Sequence, residues 1–400
     1  MVLLPETDAE VAETVQYAAG TLLPISVRSG GHGLSGRSSN DGGVVIDLSS
    51  MHEVELIDPA TRLVRVQAGA RWANVARALG RSALAISSGD HGNVGVGGLA
   101  TAGGVGWFAR LYGLTIDHVR AARVVLADGS VVRADSDAHP DLFWALRGAG
   151  DIGIVTEFEI EAARLSSIGV GEVAVEADRE GGTLRRWSEY MSAAPRDLTT
   201  NGLLVRDGTR FVLQLTAVVA DGDLGRARTV AAELARLGVR PFGSRARTAS
   251  YESMVPTAHL HDNTGQQPSQ STNALLPTLT PSAARALMDV AASPGGALVQ
   301  LRSLGGAIND IDPGANAYSH RHQQVLAIIS VFPHLGGVDL DTVAAPVRAF
   351  ADGAYRSFDS RPDQAAFARA FPGATGDRVR ALQHQYDPDR VFHRAGPAAG

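Results

Sequence analysis

The chain contains no cysteine and no lysine in its 400 residues. The first absence excludes disulfides, thiol catalysis and cysteine-ligated metals. The second excludes Schiff-base chemistry and a Walker-type phosphate-binding lysine, and it makes all 36 basic residues arginines. No run of residues is apolar and long enough to span a bilayer. The opening MVLLPETDAEV lacks a basic stretch and a small-residue cleavage site, so no secretory signal is expected and a cytoplasmic location is. The formal net charge is −6, so nucleic acid and anionic membrane are not expected partners. Twelve histidines are scattered without ligand spacing, except His320 and His322, which read as one face of a strand; no metal site is expected.

What is present is an ordinary globular composition, 44% apolar and 20% charged, with length for two or three domains. Residues 2–18 read as a strand and an amphipathic helix, 42–51 and 62–70 as strands, and 71–80 as a helix. Residues 119–135 read as a hairpin turning at Asp128-Gly129, 139–148 as a helix and 153–162 as a strand. Near Arg164 glycine thins out. Strands are predicted at 170–177, 199–206, 209–220, 296–308 and 323–332, and helices at 183–194, 223–238 and 376–392. The polar stretch 261–273 reads as a loop near a site.

Glycine is abundant in two places. PISVRSGGHGLSG (24–36) surrounds His32 with Gly30, Gly31, Gly33 and Gly36; SGDHGNVGVGGLATAGGVGWFARLYGL (88–114) is the second tract. Within it, Gly95-x-Gly97-x-x-Ala100 matches a dinucleotide fingerprint, but Gly103, Gly104 and Gly106 interrupt the helix which that fingerprint requires. Two bare-backbone loops suit a pyrophosphate and a flat ring held against the main chain. RGAGDIGIVTEF (147–158) runs into a strand able to hold adenine by main-chain bonds.

Arg28-Ser29-Gly30-Gly31-His32, Val94-Gly95-Val96-Gly97-Gly98, Gly103-Gly104-Val105-Gly106, Arg110–Leu114, Asp117, Asp141–Gly148, Gly153–Thr156 and Tyr386–Phe392, taken in order, resemble the berberine-bridge-enzyme-like flavoproteins of the vanillyl-alcohol-oxidase superfamily. The resemblance implies an α+β fold: a PCMH-type FAD-binding domain (1–163), an antiparallel-sheet substrate domain backed by helices (164–370), and a segment 371–400 returning to the first. It implies FAD contacts from Arg28, Ser29, Gly30, Gly31, His32, Gly33, Leu34, Gly89, His91, Val94, Gly95, Gly98, Leu99, Gly103, Gly104, Gly106, Leu114, Asp117, Gly153, Ile154 and Val155, with His32 bonded to the flavin 8α-methyl. The activity implied is an oxidase: hydride passes from a small-molecule substrate to flavin N5, and oxygen is reduced to peroxide. A non-redox flavin cyclase and a dehydrogenase are the alternatives.

The chain departs from that pattern. His91 stands where many members have a second flavin-linking cysteine, so one covalent bond is expected. Val94, three residues on, corresponds to the family's oxygen gate, and its modest size implies an oxidase. Ala102 replaces a glycine, and Ala327 and Ile329 occupy the positions of the usual base on strand 325–332. That apolar strand suggests a bulky apolar substrate. Tyr355 and then Tyr318 become the candidate bases, with His320 behind them and His320-Arg321 read as a structural turn. A tyrosine base needs its phenol acidified from about 10 by a cation or hydrogen bonds.

Overall fold

The computed structural model describes residues 1–165, 167–257, 269–333 and 338–393. The chain begins with β1 (Val2–Leu3), α1 (Asp8–Thr21), β2 (Ile25–Arg28) and β3 (Val44–Asp47), and the three strands form a small parallel sheet in the order β1-β3-β2. Thr7 caps α1 by accepting the Glu10 N–H, and Val11, Val15 and Ala18 turn the helix's apolar stripe onto the sheet. There follow β4 (Val54–Asp58), β5 (Leu63–Gln67), α2 (Trp72–Gly80), β6 (Leu84–Ala85), α3 (Val96–Ala100) and α4 (Ala109–Tyr112). Then come β7 (Val119–Val125), β8 (Val131–Asp135), α5 (Pro140–Leu146), β9 (Ile154–Glu161) and β10 (Ala163–Arg164). Five of these strands make an antiparallel sheet, β4-β5-β9-β7-β8, and its hairpin turns at Gly129 with φ 82° as the Asp-Gly pair predicts. Val64, Val66, Val124, Phe158 and Ile160 of this sheet share one core with Trp72, Leu79, Leu142 and Leu146.

The remainder starts with β11 (Ile168–Ala177), α6 (Gly182–Ala193), β12 (Leu198–Asp207), β13 (Arg210–Val219), α7 (Leu224–Ala235) and β14 (Arg240–Ala249). It continues with β15 (Gln270–Leu276), α8 (Pro281–Ala291), β16 (Ala297–Ser303), β17 (Val325–Val331), α9 (Leu340–Arg348), α10 (Gln364–Ala370) and α11 (Ala374–Tyr386). Strands β11 to β17 form a seven-stranded sheet, β14-β11-β13-β12-β16-β17-β15, in which every pairing is antiparallel. This is the expected helix-backed antiparallel sheet. Val379 and Leu382 of α11, with Val391 beyond it, pack into the core of the N-terminal sheets.

Three expectations change. Of the polar stretch 261–273, residues 261–268 lie outside the described residues, and Gln270–Asn273 belong to β15 rather than a loop. The strand read over 296–308 stops at Ser303, because Gly305 and Gly306 take φ of 87° and 61° and turn the chain. His320 and His322 precede β17 and share no strand.

Strand parity fixes what the seven-stranded sheet presents. Val325, Ala327, Ile329 and Val331 pack in one core with Leu287 of α8 and Leu340 of α9. Leu326 and Ile328 point the other way, into a core shared with Ala102, Val105 and Leu114 of the glycine-rich tract and with Tyr355. The matched positions Ala327 and Ile329 therefore face the helices, one residue out of phase with the face turned to the N-terminal part.

Candidate cofactor and substrate site

The two glycine loops are pressed together. A Cβ on Gly30 would lie 2.2 Å from the Gly95 nitrogen, and one on Gly95 would lie 2.2 Å from the Gly30 nitrogen, so neither position accepts a side chain. Ser29 locks the contact: its hydroxyl donates to Ala68 O at 2.5 Å and accepts the Gly97 N–H at 3.3 Å. Arg71 Nη1 donates to Gly30 O and Asn93 O, both at 2.6 Å, and so ties both loops to the start of α2. Sequence reading misses Arg71, which has no local signal and lies 41 residues from Gly30.

Other glycines of the loops face outward. A Cβ on Gly33 or Gly98 would meet nothing within 4 Å. The N–H groups of Gly30, Gly31 and Gly33 make no hydrogen bond among the described residues. Open backbone donors on a bare loop fit a diphosphate. His32 stands half-buried beside them, its ring 5.1 Å from that of His91 and tilted by 45°. His91 Nδ1 accepts the Asn93 N–H at 3.2 Å. Val94 and Leu99 are half-buried and Leu34 is exposed.

Several of the expected contact residues also make contacts within the protein. Arg28 Nε donates to Asp47 Oδ2 at 2.8 Å. Gly103, Gly104 and Gly106 make room for Tyr355, Thr115 and Ser88, respectively. Leu114 is fully buried. Ile154 and Val155 lie in the first core and pair with β7. Asp117 accepts both ends of the Arg321 fork, at 2.9 and 2.7 Å, together with the Leu114 N–H at 2.9 Å. Its carboxylate shapes the turn behind the loop and has Arg321 as its counter-ion, which bears out the structural reading of that arginine.

Tyr355 Oη accepts the Gly104 N–H at 2.9 Å, and its backbone N–H and C=O are held by Asn273 of β15 at 2.7 and 2.9 Å. Tyr318 stacks edge-on to Tyr355, with centroids 6.0 Å apart, and its hydroxyl has no partner among the described residues. Burial raises the pKa of both phenols above 10, and for Tyr355 this outweighs the hydrogen bonds from Ser357 and Gly104. Burial thus works against the acidification that a tyrosine base needs, and favours the neutral phenol in both rings. His320 is buried, with Nε2 3.0 Å from Ala370 O, and burial lowers its pKa. Tyr355→Phe should therefore change kcat by less than about tenfold, and the pH profile should keep its shape between pH 6 and 9, since no tyrosinate forms there to be lost. A lost basic limb in the Tyr355→Phe profile would restore the phenolate role.

On the opposite wall, Arg302 of β16 sits between Asn201 of β12 and Leu326 of β17 on the face turned to the glycine tract. Its Nη1 lies 2.7 Å from Asp90 Oδ2, which also accepts from Asn201 Nδ2 at 3.3 Å. Asp90 immediately precedes His91. Gln300, one register pair along, lies between Leu203 and Ile328 on that same face. β17 is apolar as read, and the wall beside it on β16 is polar. Among the described residues no group of three or more His, Asp or Glu side chains is placed to hold a metal.

An FAD-binding-domain family model matches residues 1–135. The chain carries an FAD-binding domain. Among curated proteins, (R)-6-hydroxynicotine oxidase of Paenarthrobacter nicotinovorans is 42% identical over 157 residues, 39% of this chain and 34% of that protein. Xylooligosaccharide oxidase of Thermothelomyces thermophilus is 40% identical over 161 residues, 39% of this chain and 32% of that protein. These sequence matches span about a third of the relatives' length. Solved structures match over nearly the whole chain. 6-Hydroxy-D-nicotine oxidase of Arthrobacter nicotinovorans superimposes with a TM-score of 0.83 at 25% identity, over 98% of this chain and 90% of that one. Chitooligosaccharide oxidase gives 0.84 at 24% identity, over 98% and 90%. The fold around the FAD-binding domain matches that of these oxidases and of berberine bridge enzyme. No helix among the described residues is long and apolar enough to cross a membrane.

Proposed function

We propose that this protein is an FAD-dependent oxidase of a small molecule, working in the cleft between the two glycine loops and the polar face of the seven-stranded sheet. The observation that carries the reading is the open face of the joined loops: N–H groups at Gly31 and Gly33 that are unpaired among the described residues, with His32 beside them, in a domain whose family binds FAD. Residues 1–163 with the 371–400 segment would hold the cofactor, and 164–370 would shape the substrate pocket. FAD, when bound, supplies a two-electron acceptor for substrate hydride that oxygen can regenerate with release of peroxide. The protein's part is to hold the diphosphate on the loops, to fix the ring through His32 alone, and to position the substrate. Two structures in this fold carry FAD linked through histidine and cysteine or by a novel flavinylation. Here His91 occupies the cysteine's place, and an imidazole does not supply the thiolate of that second link. Val94, placed by the resemblance beside the bound ring, would leave space there for oxygen.

Substrate screening under nitrogen tests the reading. An oxidase substrate bleaches the flavin, and air restores the colour with about one peroxide per product. Turnover of a substrate with the flavin remaining yellow would establish the non-redox cyclase instead. Bleaching with colour that returns only with an added acceptor would establish a dehydrogenase.

A further inference from the structure

Arg302 is a buried cation with too few partners. Its side chain is 7% exposed, and among the described residues its one ion pair is with Asp90. That pair is close but poorly aligned, since neither Nε nor Nη1 makes a hydrogen bond among the described residues. A guanidinium has five N–H donors in a planar fork. Burying it with most of that capacity unused is costly unless something else completes the shell. The Phe358 ring lies 5.1 Å away and offers a π-face, which attracts the cation without consuming N–H donors. Asp90, 28% exposed, is carried on a loop rather than on the sheet and is not a built-in second wall. Asn201 and Thr216 continue the polar row from Arg302 across β12 and β13, all of it on the side turned to the glycine tract. Two other surface depressions are different in kind. One is lined by paired residues such as Arg133 and Glu159, and another lies near Glu189 and Thr280.

We propose that Arg302 anchors a carboxylate on the substrate, with Asp90 as the counter-ion that occupies the fork when no substrate is bound. The proposal rests on the oxidase reading and narrows its substrate class to molecules bearing a planar oxyanion. An arriving carboxylate matches the guanidinium bidentately and takes the place of the misaligned Asp90, whose exposure lets it turn to water. Phe358 covers the cation with aromatic surface and Tyr355 packs edge-on against Phe358, so an aryl carboxylate fits better than a small aliphatic one.

Isothermal titration of the purified holoenzyme with benzoate, and with neutral benzamide of the same shape, tests this without requiring turnover. Benzoate should bind at least about tenfold more tightly than benzamide. Arg302→Gln should abolish the preference and Arg302→Lys should keep part of it. Asp90→Asn should tighten benzoate several-fold, because the competing carboxylate is gone. A merely structural Arg302–Asp90 pair predicts the opposite for Asp90→Asn: no tightening, with lowered thermal stability only. Equal binding of benzoate and benzamide by the wild type, or a benzoate preference surviving in Arg302→Gln, overturns the proposal. Absorbance near 450 nm in each preparation reports flavin content separately. A protein that lacks flavin therefore fails the oxidase reading, and one that holds flavin without preferring benzoate fails the carboxylate anchor alone.

Discussion

Wild-type protein precipitated with acid should stay yellow, and His32→Ala should release all of its flavin into the supernatant or emerge without flavin. A neutral imidazole can attack the flavin 8α-position, whereas alanine leaves no nucleophile on this loop. The expected change is all-or-none in covalent flavin, because no cysteine is available as a second attachment point. The fold should survive. His32 is half-buried on a loop, and the contacts that hold that loop belong to Ser29, Gly30 and Arg71. His91→Ala, 5.1 Å away, should leave the link intact, and this distinguishes the two imidazoles. The check is a precipitation assay with absorbance of pellet and supernatant, backed by the mass of the intact protein. Wild-type flavin that washes out freely would remove the covalent claim while leaving FAD binding untouched.

How much of this was legible depended on the range of the signal. The loop around His32 and the hairpin at Gly129 are written in contiguous residues, where glycine and turn chemistry act locally, and both were readable. β14 was not, because this edge strand is exposed along most of its length and its Arg, Ser and Thr residues show no apolar alternation. β15 was hidden by the same polar composition at its start, although Ser271, Thr272 and Asn273 are buried and hydrogen-bonded to 355–360 and Ser330. The phase of β17 could not be read from an unbroken apolar run, since period-two arguments need a polar partner on alternate residues. Asp90, Asn201 and Arg302 carry no local signature at all. Asp90 and Asn201 are 111 residues apart, and only the register of β12 against β16 brings Arg302 beside them. Tyr355 can be reached by motif, but the burial that raises its phenol's pKa is a property of the packed core and not of the motif.

Arg321→Met should be among the most damaging substitutions in the described chain. The Arg321 and Asp117 side chains are 1% and 4% exposed, and their bidentate bond joins the segment before β17 to the turn that follows α4. The same guanidinium also donates to Tyr318 O at 3.1 Å and Asn316 Oδ1 at 3.1 Å, and lies 5.1 Å from the Tyr318 ring. Methionine fills much of the volume, so the dominant loss is electrostatic: a buried carboxylate is left without its counter-ion, at a cost of about 3–5 kcal/mol. A fall in melting temperature on the order of 10 °C should follow, with weakened flavin retention, because Asp117 also holds the Leu114 N–H beside the glycine tract. The decisive comparison is the Asp117→Asn/Arg321→Met double variant. With the stranded charge removed, it should be more stable than Arg321→Met alone, although each change by itself destabilises. Arg321→Lys should recover only part of the loss, because an ammonium cannot span both carboxylate oxygens. Thermal unfolding of the four proteins measures the coupling. If Arg321→Met melts with the wild type, or the double variant falls below the single one, the pair is not the joint that the geometry describes.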